Sequence, residues 1–403
     1  MIFLEPYRVL EKIFFDGARC KLALSDTPLG EKRGRTVKLV YSVLEHDKYL
    51  ELCIDAFAGK SPKKAVRLVL KIALAATMYA DVPCAVAGSE AVALMGKLGK
   101  RGAAGFVNAF LRNFDESKVI LPDGLEGLSV KSNLPLFAVK RAVEEYGARA
   151  ESILTAKSHG VTVRFVRGAD KYDNQPHEDT PFSSVKIFKN FTRDDGFFAG
   201  DYTFQSIGSV AICDMVAPCA SLLDACAAPG GKSVLLSETC ETVTACELHA
   251  HRVKLIHEYC ARMNVSNVTA VQGDSSLFNP AYENAFDGVL CDVPCSGFGT
   301  VAENPDLPLT KTDDFETLNK VQRAILDNCA RYVKTGGRLY YSTCSIFREE
   351  NDDMVGAFLM EHPEFAVERA ASPLDHIQTE YGVQFLPDTA FGAGFYCAVM
   401  KRK

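Results

Sequence analysis

From Asp201 onward, short apolar runs alternate with longer stretches of helical periodicity, and this rhythm constrains the fold more than any other feature of the chain. The runs at 221–226, 242–246, 268–271, 286–291, 337–342, 365–368 and 394–400 read as strands. Between them, 233–240, 249–263, 318–332 and 351–360 carry apolar residues at helical spacing. Strands separated by helices build parallel sheets, because each crossover returns the chain in the same direction. The prediction is an α/β fold, a doubly wound, Rossmann-like and mostly parallel sheet of seven strands. Ligands in such sheets bind outside the carboxyl ends of the strands. Here those ends are acidic, at Glu247, at Asp274 after Gly273, and at Asp292.

The front of the chain has a different period. Residues 6–23, 37–58, 64–79, 85–98 and 105–114 show helical spacing, broken at Gly59-Lys60-Ser61-Pro62 and between Gly96 and Gly102. This predicts an all-α domain of about five to seven helices over 1–125. The Pro- and Gly-punctuated stretch 116–135 reads as a connector. A helix at 136–156, strands at 161–166 and 185–191, and a polar loop at 168–184 predict a small α+β subdomain over 126–200. The sheet domain occupies 201–403.

Hydrophobic residues make up 47% of the 403 and charged residues 24%, the balance of an ordinary soluble protein. No apolar run reaches the roughly 18 residues of a membrane span, and the first residues lack the basic and apolar regions of a signal peptide. A cytoplasmic protein without a membrane partner, acting as a monomer, is expected. A net charge of −6 argues against indiscriminate polyanion binding. Yet residues 1–120 hold about 19 Lys and Arg against about 13 Asp and Glu, so the front half is basic on an acidic whole. That suits a phosphate-backbone partner met through one face.

The 14 cysteines include no Cys-x-x-Cys and no Cys/His cluster at zinc spacing, so no metal is expected. Most fit the role of small buried hydrophobes. The loop Cys226-Ala227-Ala228-Pro229-Gly230-Gly231-Lys232 follows a strand and opens a helix, so its glycines let backbone approach a ligand. It lacks the first glycine of a Walker loop and the Gly-x-Gly-x-x-Gly of dinucleotide sites. Glu247, 23 residues after Asp224, is placed to hold a ribose diol. Asp274 is placed for the adenine or the ribose. No phosphate-clamping arginine accompanies the loop, which favours S-adenosylmethionine over NAD.

Two thiols stand at strand ends: Cys295 in Asp292-Val293-Pro294-Cys295-Ser296-Gly297, and Cys344 in Ser342-Thr343-Cys344-Ser345. Carbon 5 of a pyrimidine is a poor nucleophile. A thiolate added at carbon 6 makes it enamine-like and able to take a methyl group. A carboxylate bonded to N3 and the exocyclic amine stabilises that adduct. The chemistry needs one thiol to attack and does not say which.

The segments 224–232, 292–297 and 342–345, the last followed by Glu349-Glu350-Asn351, together resemble the RNA 5-methylcytosine methyltransferase family. Gly394-Phe395-Tyr396-Cys397-Ala398-Val399-Met400-Lys401 resembles its closing strand. Val82-Pro83, Glu90-Ala91-Val92 and Gly105-Phe106-Val107-Asn108-Ala109-Phe110-Leu111-Arg112 resemble the NusB-like domain that precedes the catalytic part in the RsmB type, which acts on bacterial small-subunit ribosomal RNA. The resemblance implies that Cys344 attacks carbon 6 and Cys295 assists product release. It implies that Cys226, Ala227, Ala228, Pro229, Gly230, Gly231, Lys232, Glu247, Asp274 and Asp292 form the cofactor shell, with Lys232 or Asp292 also touching the base. RNA is the implied partner, ribosomal in the first instance and transfer RNA as the alternative. Three departures stand out. Ala302-Glu303-Asn304-Pro305-Asp306 replaces a basic stretch ending in Pro-Asp, Gln205-Ser206 replaces Gln-Asp, and Phe165-Val166-Arg167 replaces Arg-Val-Asn. The first departure motivates a competing reading, an RNA-binding or assembly protein with lapsed activity. A methyltransferase for protein or a small molecule is the third, and it has no need of two thiols.

Overall fold

The computed structural model describes residues 1–30, 33–311 and 313–403. They divide into two compact units, Met1–Thr155 with Glu303–Asp313, and Ala156–Ala302 with Asp314–Lys403.

The first unit contains α1 (Leu4–Asp16), α2 (Cys20–Ser25), α3 (Arg33–Glu45), α4 (Asp47–Phe57), α5 (Lys64–Tyr79), α6 (Cys84–Lys97), α7 (Ala104–Asn113), α8 (Gly124–Ser132), α9 (Leu136–Tyr146) and α10 (Ala150–Leu154). Its axis is α5, buried along ten of its residues, as a helix ringed by others has to be. Lys71 on α5 is buried too, held by ion pairs to Asp47 and Glu51. Within 116–135, read from sequence as a connector, lies α8. The Gly and Asn that looked like breaks are its ends: Gly124 has φ +64°, and Asn133, at φ +58°, closes the C-terminus. The Asn133 side chain donates to Leu44 O (2.7 Å) and accepts from Lys48 N (2.8 Å), which ties 124–154 to the helices rather than to the strands that follow. The boundary expected near 125 therefore falls at Thr155. Residues 303–313 also belong here. Asp306 accepts from Cys20 N (3.2 Å) at the start of α2, and Asn304 accepts from Lys21 Nζ (3.2 Å).

The second unit opens with a four-stranded antiparallel sheet of β1 (Val161–Phe165), β2 (His177–Asp179), β3 (Val185–Phe188) and β4 (Tyr202–Phe204), in the order β2-β3-β1-β4. β2 lies inside the stretch read as a loop. Like β4 it has three residues, too few for alternation to show. α11 (Asp195–Ala199) and α12 (Ile207–Asp214) lead to the large sheet.

That sheet contains β5 (Ser221–Asp224), β6 (Thr242–Glu247), β7 (Val268–Gln272), β8 (Phe286–Asp292), β9 (Val333–Thr343), β10 (Phe365–Glu368), β11 (Ile377–Gln378), β12 (Val383–Gln384) and β13 (Tyr396–Arg402). Its order is β11-β12-β13-β9-β8-β5-β6-β7, with β10 also on β13. The five strands from β9 to β7 are parallel, and β13, β10 and β12 add antiparallel. All seven strands expected from sequence are present. The sheet has nine, because the two-residue strands β11 and β12, too short to leave a pattern, extend one edge. Helices α13 (Gly231–Leu236), α14 (Ala250–Arg262), α15 (Phe315–Ala330) and α16 (Asp352–Glu361) complete the layers. On one face Leu326, Val355 and Phe358 pack against Val289 and Leu339; on the other Ile212 and Leu236 pack against Leu290 and Tyr340. From β5 the chain steps out to β6 and β7, then returns to β8 on the opposite side of β5. The strand order reverses there, so the loops leaving β5 and β8 flank a crevice at the carboxyl edge. Among the described residues no helix is long and apolar enough to cross a membrane.

Candidate active site

Strand register brings the two thiols together. On the parallel neighbours β8 and β9, Asp292 stands opposite Ser342, and Val293 N donates to Ser342 O (3.0 Å). Cys295 and Cys344 lie just beyond this last rung. Their sulfurs are 3.2 Å apart, and Cys344 N donates to Cys295 Sγ (3.3 Å). Farther along, Gly299 N donates to Cys344 O (3.0 Å). Gly299 also crosses Gly394 so closely that a Cβ on it would lie 1.8 Å from the Gly394 carbonyl oxygen, so only glycine fits. Both thiols are half-buried.

Charge surrounds the pair. Lys232 Nζ donates to Asp292 Oδ2 (2.8 Å), Ser342 Oγ donates to Asp292 Oδ1 (2.8 Å), and Lys232 lies over the Phe395 ring at 5.5 Å. Burial pulls the Lys232 ammonium down, but Asp292 outweighs it and holds the group above its usual range. Hydrogen bonding from Cys295 holds the Cys344 thiol below its ordinary range. Burial and Asp292 oppose this, and Lys232 assists it. Cys295 is pushed up in turn, first by its bond to Cys344 and then by partial desolvation, against the backbone bond it accepts from Cys344 N.

The glycine loop leaves the neighbouring strand β5 and reaches this group through Lys232. Gly230 has φ +102°, and a Cβ there would press on Ile256 of α14. Ala227 N donates to Cys246 O (2.9 Å), and Gln205 Nε2 holds Gly231 O (3.2 Å). Cys226 packs into the core, and burial raises its thiol well above the usual range. Asp224 at the end of β5 is buried. Its Oδ2 accepts from Ser233 Oγ (2.6 Å), while Oδ1 has no partner. Burial lifts this carboxyl to about 6.

The three acidic strand ends fall on two sides of β5. Asp292 stands with the thiols. Glu247 and Asp274 lie beyond the glycine loop, at the ends of β6 and β7. Glu247 is buried, accepts from His249 N (3.0 Å) and pairs with Arg252 (3.3 Å). Asp274 is exposed and accepts from Ser276 N (2.9 Å) and Ser276 Oγ (2.6 Å), an Asx-turn that fixes its direction. Beside it a cavity of about 240 Å³ opens among Leu223, Cys246, Ser275, Phe278 and Tyr282. Sequence reasoning missed the second layer: Asp224 with its unpartnered oxygen, and the buried Glu350, Gln322, Ser296 and Ser345 behind the thiols. Their only signal was membership of the segments 224–232, 292–297, 342–345 and Glu349-Glu350-Asn351, which entered as parts of a resemblance, and Gln322 had none.

Comparison with known proteins fixes the family. Residues 10–116 match the model of the NusB family, and residues 216–401 match that of the 16S rRNA methyltransferase RsmB/F. The probable ribosomal RNA small subunit methyltransferase B of Bacillus subtilis (strain 168) is 32% identical, over 93% of this chain and 91% of its own length. The chain belongs to the RsmB/F family of 16S rRNA methyltransferases. Another member, the ribosomal RNA small subunit methyltransferase B of Sodalis glossinidius, is 28% identical over 93% of this chain and 90% of its own. The crystal structure of PH0851 shares the fold across 100% of this chain and 98% of its own, with TM-score 0.84 at 23% identity. A methyltransferase homolog protein from Pyrococcus horikoshii shares it over 70% of this chain and 100% of its own, with TM-score 0.60 at 19% identity. The glycine loop, both thiols and every acidic strand end lie inside the span matched by the RsmB/F model.

Proposed function

We propose that this RsmB/F-family enzyme methylates carbon 5 of a cytosine in small-subunit ribosomal RNA, with Cys344 as the nucleophile and S-adenosylmethionine as the donor. The observation that carries the reading is the thiol pair 3.2 Å apart, next to Lys232 and Asp292, at the carboxyl edge of the sheet. The cofactor's residues fit an adenosine-type ligand. Asp224 Oδ1 is a buried acceptor without a donor, Glu247 is a carboxylate at the end of the next strand, and a cavity opens beside Asp274. When bound, S-adenosylmethionine supplies an electrophilic methyl group.

The chain's own groups do the rest. Cys344, held low by its neighbour, adds to carbon 6, and the electron pair moves to carbon 5. Asp292 accepts from the exocyclic amine of the base, while Lys232 fixes that carboxylate and faces the charge that develops on the ring. After methyl transfer a base takes the proton from carbon 5, that bonding pair restores the ring double bond, and the carbon–sulfur bond at carbon 6 breaks with its electrons returning to Cys344 as thiolate. Cys295, whose thiol faces Cys344, assists this release. The base has to leave its stack to reach the crevice.

The helical unit and the small sheet hold the RNA. In the helical unit a cleft of about 870 Å³ is floored by Val66 and Phe106 and rimmed by Lys60, Lys63 and Lys100, none of which forms an ion pair among the described residues. Unpaired lysines around an apolar floor suit phosphates flanking an unstacked base. On the small sheet subdomain, Phe198 is 68% exposed and Arg193 lies over Phe197 at 4.5 Å. The enzyme works in the cytoplasm as a single chain.

The test is methyl transfer from labelled S-adenosylmethionine to small-subunit ribosomal RNA, with nucleoside mass spectrometry of the product. Labelled 5-methylcytidine is expected. A product methylated on nitrogen or ribose, or label found only in transfer RNA, contradicts the proposal.

A further inference from the structure

We infer that Glu350 is a positioning residue that locks the loops bearing Cys295 and Cys344 to each other, and so sets the distance between the two sulfurs. The inference rests on the function proposed above, since it assigns meaning to that distance. Glu350 is fully buried. Its Oε1 accepts from Ser296 N (2.7 Å) and Gln322 Nε2 (3.0 Å), and its Oε2 accepts from Ser296 Oγ (2.5 Å) and from Ser345 Oγ. Ser296 follows Cys295 and Ser345 follows Cys344, so one carboxylate grips the residue after each thiol. The two serine hydroxyls are themselves 3.2 Å apart. Tyr341 OH donates to the Glu350 carbonyl (2.7 Å), which anchors the clamp to β9.

A second strap acts on one loop alone. Thr343 Oγ1 donates to Asn351 Oδ1 (2.6 Å), and Asn351 Nδ2 donates to Ser345 O (3.1 Å) and Gln384 Oε1 (2.8 Å). Asn351 therefore shapes the Cys344 loop, while Glu350 joins it to its neighbour. Four neutral donors meeting one buried carboxylate is a costly arrangement unless their geometry is what matters. The charge does not activate either thiol, because Glu350 pushes both upward. The role left to the carboxylate is spatial.

The experiment measures disulfide formation between Cys295 and Cys344 in the full-length protein. Diamide serves as the oxidant and takes two electrons and two protons from the thiol pair; the cross-linked peptide is quantified by mass spectrometry. This readout does not depend on the RNA reaction. In Glu350→Ala the cross-linking rate is expected to fall at least tenfold, with the circular dichroism of the folded protein retained. At saturating substrates kcat is expected to fall about 100-fold, with KM for RNA within threefold. Glu350→Gln keeps the length of the side chain, and the serine hydroxyls can turn to accept from its amide. It is expected to recover the cross-linking rate to within threefold, and to move Cys344 alkylation to lower pH because a negative charge is gone. If Glu350→Ala does not fold, the double variant Ser296→Ala with Ser345→Ala replaces it, with a severalfold loss of cross-linking expected. A wild-type cross-linking rate in Glu350→Ala or in the double variant, or no recovery in Glu350→Gln, overturns the assignment. A wild-type protein that cross-links readily but makes no 5-methylcytidine overturns the proposed function and leaves the clamp standing.

Discussion

The two edges of the large sheet carry nearly the same set of side chains. At the carboxyl edge stand Cys295 and Cys344, with Lys232 bonded to Asp292 and Ser342 donating to that carboxylate. At the opposite edge, where the strands begin, Cys219 and Cys240 bring their sulfurs to 3.4 Å. There Lys334 Nζ reaches Asp287 (2.8 Å), and Ser221 Oγ donates to the same carboxylate (2.7 Å). Even the thiol titrations run in parallel: hydrogen bonding from Cys219 lowers Cys240 and raises Cys219. A close thiol pair with one low member, a lysine, an aspartate and a serine therefore do not make a site. The neighbourhood decides. Lys334 is 42% exposed where Lys232 is 13% exposed, so water screens one pair and not the other. Backbone bonds from Glu241 N to Cys219 O and from Thr242 N to Ala220 O (both 3.0 Å) close the starting edge. The carboxyl edge faces the glycine loop and a buried carboxyl oxygen with no partner, as a crevice at a strand-order reversal does.

Mutating matched pairs puts this contrast at risk. The largest effect is expected from Cys344→Ala, which is to lower kcat by at least about 10³-fold, while Cys219→Ala and Cys240→Ala stay within about twofold of wild type in the same methyl-transfer assay. Comparable losses from Cys240→Ala would erase the distinction. Next, Lys232→Met is expected to slow single-turnover transfer about 100-fold and to move Cys344 alkylation to higher pH, because the cation that favours the thiolate is gone. Lys334→Met leaves both unchanged. Third, the edges differ in the sign of their pH-dependent stability. Burial raises Asp224 from 3.8 to about 6, so its penalty is absent below the unfolded value and sets in as pH climbs through the folded one. Asp224→Asn is expected to gain up to about 3 kcal/mol on wild type between pH 4 and 7.5 in denaturant unfolding. Asp287 is held low by hydrogen bonding to Lys334, so Asp287→Asn moves the other way: its deficit against wild type is full above the unfolded value and disappears as pH falls through the folded one. The smallest effect lies outside both edges. Replacing Lys60, Lys63 and Lys100 with Gln is expected to reduce the salt dependence of RNA binding, with the log–log slope falling by about 1 for each phosphate no longer neutralised and kcat preserved.

Much of this was legible in the sequence because period and position carry it. The strand–helix rhythm from Asp201 gave the sheet, and Asp292 and Cys344 could be placed at one edge because neighbouring parallel strands end together. Other parts left no local trace. β2, β4, β11 and β12 span two or three residues, below the length at which alternation appears. α8 was masked by the Gly and Asn that end it. The altered stretch at 302–306 motivated the reading of a lapsed activity, and from Glu303 onward it belongs to the helical unit, with Asp306 bonded to the first residue of α2. Glu350 lies 54 residues after Ser296, and its bonds to it include one through a backbone amide, a link that no residue pattern encodes. Which thiol attacks was equally silent, because the two sulfurs stand side by side just past neighbouring strand ends.

The most direct measurement is therefore to capture the attacking sulfur. RNA carrying 5-fluorocytidine blocks loss of the carbon 5 substituent, so the bond between protein and base persists and its peptide can be sequenced by mass spectrometry. The nucleotide is expected on Cys344, and only when S-adenosylmethionine is present to complete the transfer. A nucleotide on Cys295, or no adduct from an enzyme that forms 5-methylcytidine on unmodified RNA, would contradict the mechanism.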